Sequence, residues 1–241
     1  MIEVKGLTVT YPDGTRALEN VCFSVKEGER VALVGANGAG KSTLLMTMVG
    51  VCEKAGGSVN IAGVELTKKN LPTLRAHAGV VLQNPDDQLF CATVYDDVAF
   101  GPRNMGMDEA AVAHRVAAVL ADLGIEKLRD RMPHRLSGGE KRVAAIASVL
   151  SMRPSVMLFD EPTSFLDPRA RRNVAHLLSS LPHTMLIATH DLDMALDVCE
   201  RVIVLKGGRV LSDGPARTLL TDKNLMESAG LELPLSLGGK P

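Results

Sequence analysis

Two rhythms of apolar and polar positions run along the chain. Ile2-Glu3-Val4 and Leu7-Thr8-Val9-Thr10-Tyr11 are rich in β-forming side chains, and Pro12-Asp13-Gly14-Thr15 reads as a turn. Val21, Phe23 and Val25 alternate with smaller or polar neighbours, the pattern of a half-buried strand. Lys26-Glu27-Gly28-Glu29 then turns the chain into the apolar run Arg30-Val31-Ala32-Leu33-Val34. Further on, Val80-Val81-Leu82, Val156-Met157-Leu158-Phe159, Met185-Leu186-Ile187-Ala188 and Val202-Ile203-Val204-Leu205 are short and continuously apolar, as strands buried on both faces must be. Residues 108–123 and 140–152 repeat with helical period and are rich in alanine and leucine, while residues 85–154 carry no strand pattern. Gly207-Gly208 is a hairpin signal, and residues 237–241 read as a frayed end. The pattern predicts an α/β fold with a mainly parallel sheet, an N-terminal antiparallel β part and an inserted helical block.

Composition narrows the class. In 241 residues, 46% apolar content supports a sizeable core. Twenty-seven Lys plus Arg against 28 Asp plus Glu give a net charge of −1, with no excess to mark a nucleic-acid binder. The longest unbroken apolar run is six residues, at 116–121, where a membrane-spanning helix needs about 20. The start, Met1-Ile2-Glu3-Val4-Lys5-Gly6, lacks the apolar core of a signal peptide, so the expectation is a soluble, cytoplasmic chain. Cys22, Cys52, Cys91 and Cys199 are far apart and read as reduced, largely buried thiols, and no histidine cluster has metal-ligand spacing.

Candidate chemistry begins at Gly35-Ala36-Asn37-Gly38-Ala39-Gly40-Lys41-Ser42, which fits G-x-x-x-x-G-K-[ST] between an apolar strand and the helical Thr43-Leu44-Leu45-Met46. Glycines let successive N–H groups converge on phosphate oxygens, and the new helix adds the positive end of its dipole. In that arrangement Lys41 reaches the β- and γ-phosphates and the Ser42 hydroxyl holds Mg²⁺. A second metal ligand is expected from Asp160 at the end of a buried strand, and Glu161 beside it is the candidate base for an attacking water. His190 also follows a buried strand. It reads equally as a capping or surface residue and as a group leaning over the γ-phosphate.

Leu136-Ser137-Gly138-Gly139-Glu140 has the S-x-x-E spacing of a capping box at the head of a helix, but two glycines after a cap make poor helix. They suit a phosphate that approaches the backbone closely. The segment resembles the signature of ABC-type ATPases. The resemblance, spanning residues 1–233 as one nucleotide-binding domain of P-loop NTPase type with a helical subdomain at about 85–154 and a tail at 234–241, orders the other motifs. It makes residues 35–42, with Thr43, the Walker A element and Val156-Met157-Leu158-Phe159-Asp160-Glu161 Walker B plus the catalytic glutamate. Gln83 becomes the Q-loop residue touching Mg²⁺ or water, Ser164-Phe165-Leu166-Asp167 the D-loop and His190 the switch histidine. Tyr11 falls where relatives stack an aromatic on adenine. The resemblance further implies head-to-tail pairing, in which Ser137, Gly138, Gly139 and Glu140 of one copy grip ATP held by the other, with Asp167 coupling the two sites. Glu140 in place of glutamine, Val143 in place of arginine and the bulky Phe165 depart from the usual pattern, and Arg142 is expected to stand in for the missing arginine.

Gln83-Asn84-Pro85-Asp86-Asp87-Gln88-Leu89-Phe90 and Thr93-Val94-Tyr95-Asp96-Asp97-Val98-Ala99-Phe100-Gly101-Pro102 are similar to the energy-coupling-factor importers, most of all their cobalt and nickel branch. That implies ATP and Mg²⁺ as cofactors, a homodimer or a paralogous ATPase partner, and two integral membrane subunits, one a scaffold and one that binds the substrate. It also implies peripheral attachment at the cytoplasmic face of the membrane, with residues 85–107 forming a groove for a scaffold helix. The ATPase subunit of another ABC importer, for example one for a vitamin, and a non-transport ABC ATPase are the alternatives. The guanine-reading N-K-x-D pattern of GTPases is absent.

Overall fold

A computed structural model describes residues 1–237 and sorts the strands into two sheets. The chain opens with β1 (Ile2–Thr10), β2 (Arg16–Val25), β3 (Arg30–Val34) and α1 (Lys41–Met48). It continues through β4 (Gly56–Ile61), β5 (Val64–Glu65), α2 (Leu71–His77) and β6 (Ala78–Val81). Three longer helices follow: α3 (Val94–Asn104), α4 (Glu109–Asp122) and α5 (Gly138–Leu150). The last third alternates β7 (Val156–Asp160), α6 (Pro168–Ser180), β8 (Thr184–Ala188), α7 (Leu192–Val198) and the hairpin β9 (Arg201–Lys206) and β10 (Arg209–Pro215). Two short helices, α8 (Ala216–Leu220) and α9 (Lys223–Ser228), complete the described elements.

The smaller sheet is antiparallel in order β2-β1-β4-β5, and the larger runs β10-β9-β3-β8-β7-β6, parallel except for the β9–β10 hairpin. Alternating side chains of the large sheet feed two separate cores. Val31, Leu33, Val156, Leu158, Leu186, Ile203 and Leu205 face the antiparallel sheet and α1. Ala32, Val34, Met157, Phe159, Ile187 and Val202 face the other side, where α3 to α7 pack. Burial on both faces is why these strands have no polar alternation.

Several boundaries differ from the sequence reading. The helix expected from residue 140 starts at Gly138, because Ser137 is its N-cap and completes a capping box with Glu140. A Cβ on Gly139 would lie 3.0 Å from the Ala170 Cβ, so close packing against α6 supplies a reason for this glycine within the chain itself. The strand expected at residues 80–82 begins earlier and ends at Val81. Helices α3 and α6 went unassigned. The first contains Gly101-Pro102, which reads as a turn, and the second starts at Pro168 behind the Asp167 cap. Of the cysteines only Cys199 is buried, while Cys22 is exposed because the alternation of β2 puts it on the outer face. No described helix is long and apolar enough to cross a membrane. The expected fraying falls mostly on residues 238–241, outside the described residues.

Leu158 is fully buried in the central sheet, whereas Leu235 is 82% exposed. Leu158→Ala is expected to lower unfolding free energy by about 2–5 kcal/mol, and Leu235→Ala to change it by less than about 0.5, measured by urea denaturation.

Candidate functional site

The loop between β3 and α1 is shaped by backbone contacts that no side chain would fit. A Cβ on Gly35 would sit 2.3 Å from the Leu205 carbonyl oxygen, and one on Gly40 2.8 Å from that of Ala17. Gly40 also caps α1 at φ 103°, in the left-handed region. The hairpin tip after β9 braces the loop from behind, since the Gly208 N–H donates to the Ala39 carbonyl at 3.1 Å. Lys41 turns back over the loop and donates to the Gly35 carbonyl at 2.7 Å and the Ala36 carbonyl at 3.4 Å.

The end of β7 meets this loop. The Ser42 hydroxyl donates to Asp160 Oδ1 at 3.0 Å, and Lys41 Nζ lies 3.9 Å from Glu161 Oε1. Glu161 has a positive φ of 48°, and its N–H donates to the Ala188 carbonyl of β8 at 2.8 Å. His190 Nδ1 lies 2.8 Å from Glu161 Oε2, and the His190 backbone N–H donates to the same oxygen at 3.2 Å. Lys41, Asp160 and Glu161 are all buried. Burial pulls the Lys41 ammonium below the usual lysine range, against the opposing pull of Glu161 and Asp160. Burial pushes the Asp160 carboxyl up, while Ser42, Lys41 and Arg142 offset part of that rise.

A cavity of about 740 Å³ opens above these groups. It brings together Tyr11, Asn37, Gly38, Ala39, Gly40, Lys41, Ser42, Thr43, Gln83, Glu161 and His190, all singled out from the sequence. The Tyr11 and Thr43 hydroxyls are hydrogen-bonded at 2.6 Å across its rim. Gly35, Ala36 and Asp160, also singled out from the sequence, do not line it. Ser137, Gly139, Glu140 and Asp167 are elsewhere, around a separate depression of about 250 Å³, with Gly138 between its two lining neighbours. There the Ser137 hydroxyl donates to Glu140 Oε2 at 2.9 Å, and Asp167 caps α6 by accepting the Arg169 and Ala170 N–H groups. Arg142, the neighbour of Val143, turns its side chain inward and is buried, while Val143 lines the depression beside the signature.

Sequence reasoning missed Thr15, Arg16, Ala17, Gly207 and Gly208 in the cavity wall, which Ser164 and Phe165 of the expected D-loop also line. Gly207-Gly208 had been read only as a hairpin, and nothing local marks Arg16. It also missed Asp191, which accepts from both Arg171 and Thr163 and anchors the segment that carries His190. Two residues on, the Asp193 carboxylate accepts the Leu235 and Ser236 N–H groups and ties the C-terminal segment to α7.

The ABC transporter family profile matches residues 18–164. The chain belongs to the ABC transporter family. This ABC ATPase binds ATP and couples its hydrolysis to transport. It is 42% identical over 237 residues, 97% of the chain and 87% of the relative, to the energy-coupling factor transporter ATP-binding protein EcfA of Carboxydothermus hydrogenoformans. Its fold matches cbiO1 of Clostridium perfringens, described as part of the ABC transporter complex cbiONQ. The TM-score is 0.84 at 39% identity, covering 94% of this chain and 93% of that one. It also matches the ATP-binding cassette MJ0796, solved as a dimer in a post-hydrolysis state with ADP and Pi. That TM-score is 0.80 at 30% identity, covering 90% and 99% of the two chains.

Burial alone would raise the Asp191 carboxyl, but Arg171, the Met194 N–H and Thr163 together hold it below the usual carboxylate value. A carboxyl depressed in the folded state adds stability above its unfolded value and loses it as the pH falls through its folded one. Urea midpoints of this ABC ATPase should therefore drop on acidification below about pH 4, and Arg171→Met should shallow that drop.

Proposed function

We propose that this ABC ATPase drives an energy-coupling-factor importer for cobalt or nickel ions, and that two copies, or this chain and a paralogue, close head to tail on ATP. One observation carries the pairing: Lys41 and the signature Ser137–Glu140 capping pair line different depressions, so a single chain presents two half-sites. ATP phosphates lie along the amides of residues 35–42, with Lys41 on the β- and γ-phosphates and the Tyr11 ring against adenine. Ser137 and the amides of Gly138, Gly139 and Glu140 reach the γ-phosphate from the other copy, where Ser137 must exchange its bond to Glu140 for one to phosphate. Asp167, at the head of α6, couples the two sites.

Glu161 acts as the base, taking a proton from the attacking water at a carboxylate oxygen. His190 holds the other carboxylate oxygen and aims it, and Gln83 orients the water at the cavity wall. The hydroxyl of Ser42 and the carboxylate of Asp160 are oxygen donors close enough to bond each other, the hard ligand chemistry that Mg²⁺ selects. Ser42, Asp160 and Gln83 would hold Mg²⁺, whose positive charge offsets that of the phosphates.

Similarity to EcfA, an energy-coupling factor transporter ATP-binding protein, and to cbiO1 of the cbiONQ complex supports the transporter class, and the cobalt or nickel assignment rests on the resemblance of residues 83–90 and 93–102. The exposed Phe90 and Phe100, edge to face at 4.9 Å, give residues 85–107 an apolar face suited to a membrane scaffold helix. A second membrane subunit binds the ion. Among the described residues no cluster of His, Cys, Asp or Glu offers the ion a site on this chain, which works peripherally at the cytoplasmic face.

Glu161→Gln is expected to keep ATP affinity, slow hydrolysis by about a hundredfold or more, and accumulate an ATP-bound pair visible by light scattering. Ser137→Arg should lose hydrolysis with ATP affinity intact; equal loss of both would refute the shared site. In vesicles carrying the chain with its membrane subunits, ATP turnover should rise with cobalt or nickel, and a response confined to a vitamin would displace the ion assignment.

A further inference from the structure

Arg142 is 1% exposed, inside the protein between α5 and the segment that leaves β6. Its two terminal nitrogens donate to successive carbonyls, Nη1 to Leu82 and Nη2 to Gln83, each at 2.6 Å. Its Nε has no partner. Burial brings the guanidinium down to about 10, with Asp160 pulling the other way, so it stays charged at neutral pH. Apolar side chains of similar volume commonly fill such a place at no loss of stability, so packing alone does not account for a buried cation with an unsatisfied nitrogen.

Other bonds join the same two elements. Gln88 accepts the Leu82 N–H at 2.9 Å and donates to the Ala145 carbonyl at 2.8 Å and the Ser148 hydroxyl at 3.0 Å. Lys141 pairs with Asp86 at 2.6 Å. Residues 141, 145 and 148 recur at the spacing of one helix face, with Arg142 beside them. The partners all belong to α5, the helix whose first turn carries Ser137, Gly138 and Gly139. Gln83 itself lines the nucleotide cavity.

We infer that Arg142 is a positioning residue for ATP hydrolysis: its fork on the Leu82 and Gln83 carbonyls locks the segment bearing Gln83 to the signature helix, so that the two move as one piece. When α5 shifts to meet ATP held by another copy, Gln83 is carried with it into register with the water. A planar fork with several donors holds two consecutive carbonyls at the same short distance; a lysine is a single point donor that grips one closely and the next only loosely, as Lys41 does at 2.7 and 3.4 Å, and a methionine fills the space and reaches neither. The inference rests on the reading that Gln83 takes part in turnover.

The test measures kcat, KM and ATP affinity of the full-length chain carrying Gln83→Ala, Arg142→Met, both together, or Arg142→Lys. Arg142→Met should lower kcat by about tenfold or more while KM stays within about threefold. The double variant should be no slower than Gln83→Ala, because a residue acting through Gln83 adds nothing once that amide is gone. Arg142→Lys should recover part of the rate. A double variant slowed by the product of the two single effects overturns the inference, and so does parental turnover by Arg142→Met. Parental turnover by Gln83→Ala, with Arg142 intact, removes the reading of Gln83 and the inference together, which separates the two failures. If Arg142→Met does not fold, Gln88→Met cuts the neighbouring tie with the guanidinium in place, and the same non-additivity with Gln83→Ala decides the outcome.

Discussion

Parallel strands β3, β8 and β7 lie side by side with Leu33, Ala188 and Asp160 at one level. Two backbone bonds extend that register just past the strand ends, from the Thr189 N–H to the Leu33 carbonyl and from the Glu161 N–H to the Ala188 carbonyl. The chain therefore leaves the sheet at three adjacent points on one edge, into the glycine loop, into Glu161 and into His190. Ligands of open α/β sheets gather at this carboxyl edge. Because each strand is buried on both faces, a slip of one residue would exchange its two cores, so the packing that stabilises the sheet also fixes the spacing of the polar groups above it.

Those groups sit in an environment that disfavours their charges. Lys41, Asp160 and Glu161 share a few ångströms of buried space, and each is compensated by a neighbour rather than by water. Glu161 adds backbone strain at φ 48°, held in place by main-chain bonds to Ala188 and from Ser164 and by His190 on its carboxylate. A carboxylate fixed in this way, the base of the proposed mechanism, spends little reorganisation on aligning with a water. In the proposed cycle the sheet edge supplies preorganisation, while the signature helix, tied to the Gln83 carbonyl through Arg142, is the part that moves.

Much of this was legible in the residues themselves, for identifiable reasons. Continuous apolar runs mark strands buried twice over, and the strand–glycine loop–helix order around Lys41 leaves little choice of chemistry. The capping spacing of Ser137 and Glu140 was equally visible, and it is real in the structure alongside the glycines' proposed use. What escaped was set by distant partners. Helix α3 tolerates Gly101 because Met152 packs against it, with the sulfur 2.8 Å from where a Cβ would stand. The sequence suggests for Arg142 only a stand-in for an arginine at 143, since nothing in the local pattern shows that α5 turns it toward carbonyls about 60 residues earlier. Gly208 read as a turn residue, and its bond to Ala39 links segments that no local window contains.

The strand order has a consequence for how the molecule is made. Strand β3, which carries the glycine loop, is flanked by β8 and β9, both from the last quarter of the chain. During synthesis Arg30–Val34 emerges with neither neighbour yet translated, an apolar segment with two unpaired edges. The large sheet cannot be completed until residue 215 has left the ribosome, so assembly is dominated by late, long-range pairing and is slow compared with helical domains of similar size. Until then that segment is exposed with its edges unpaired, the condition under which chains stick to one another.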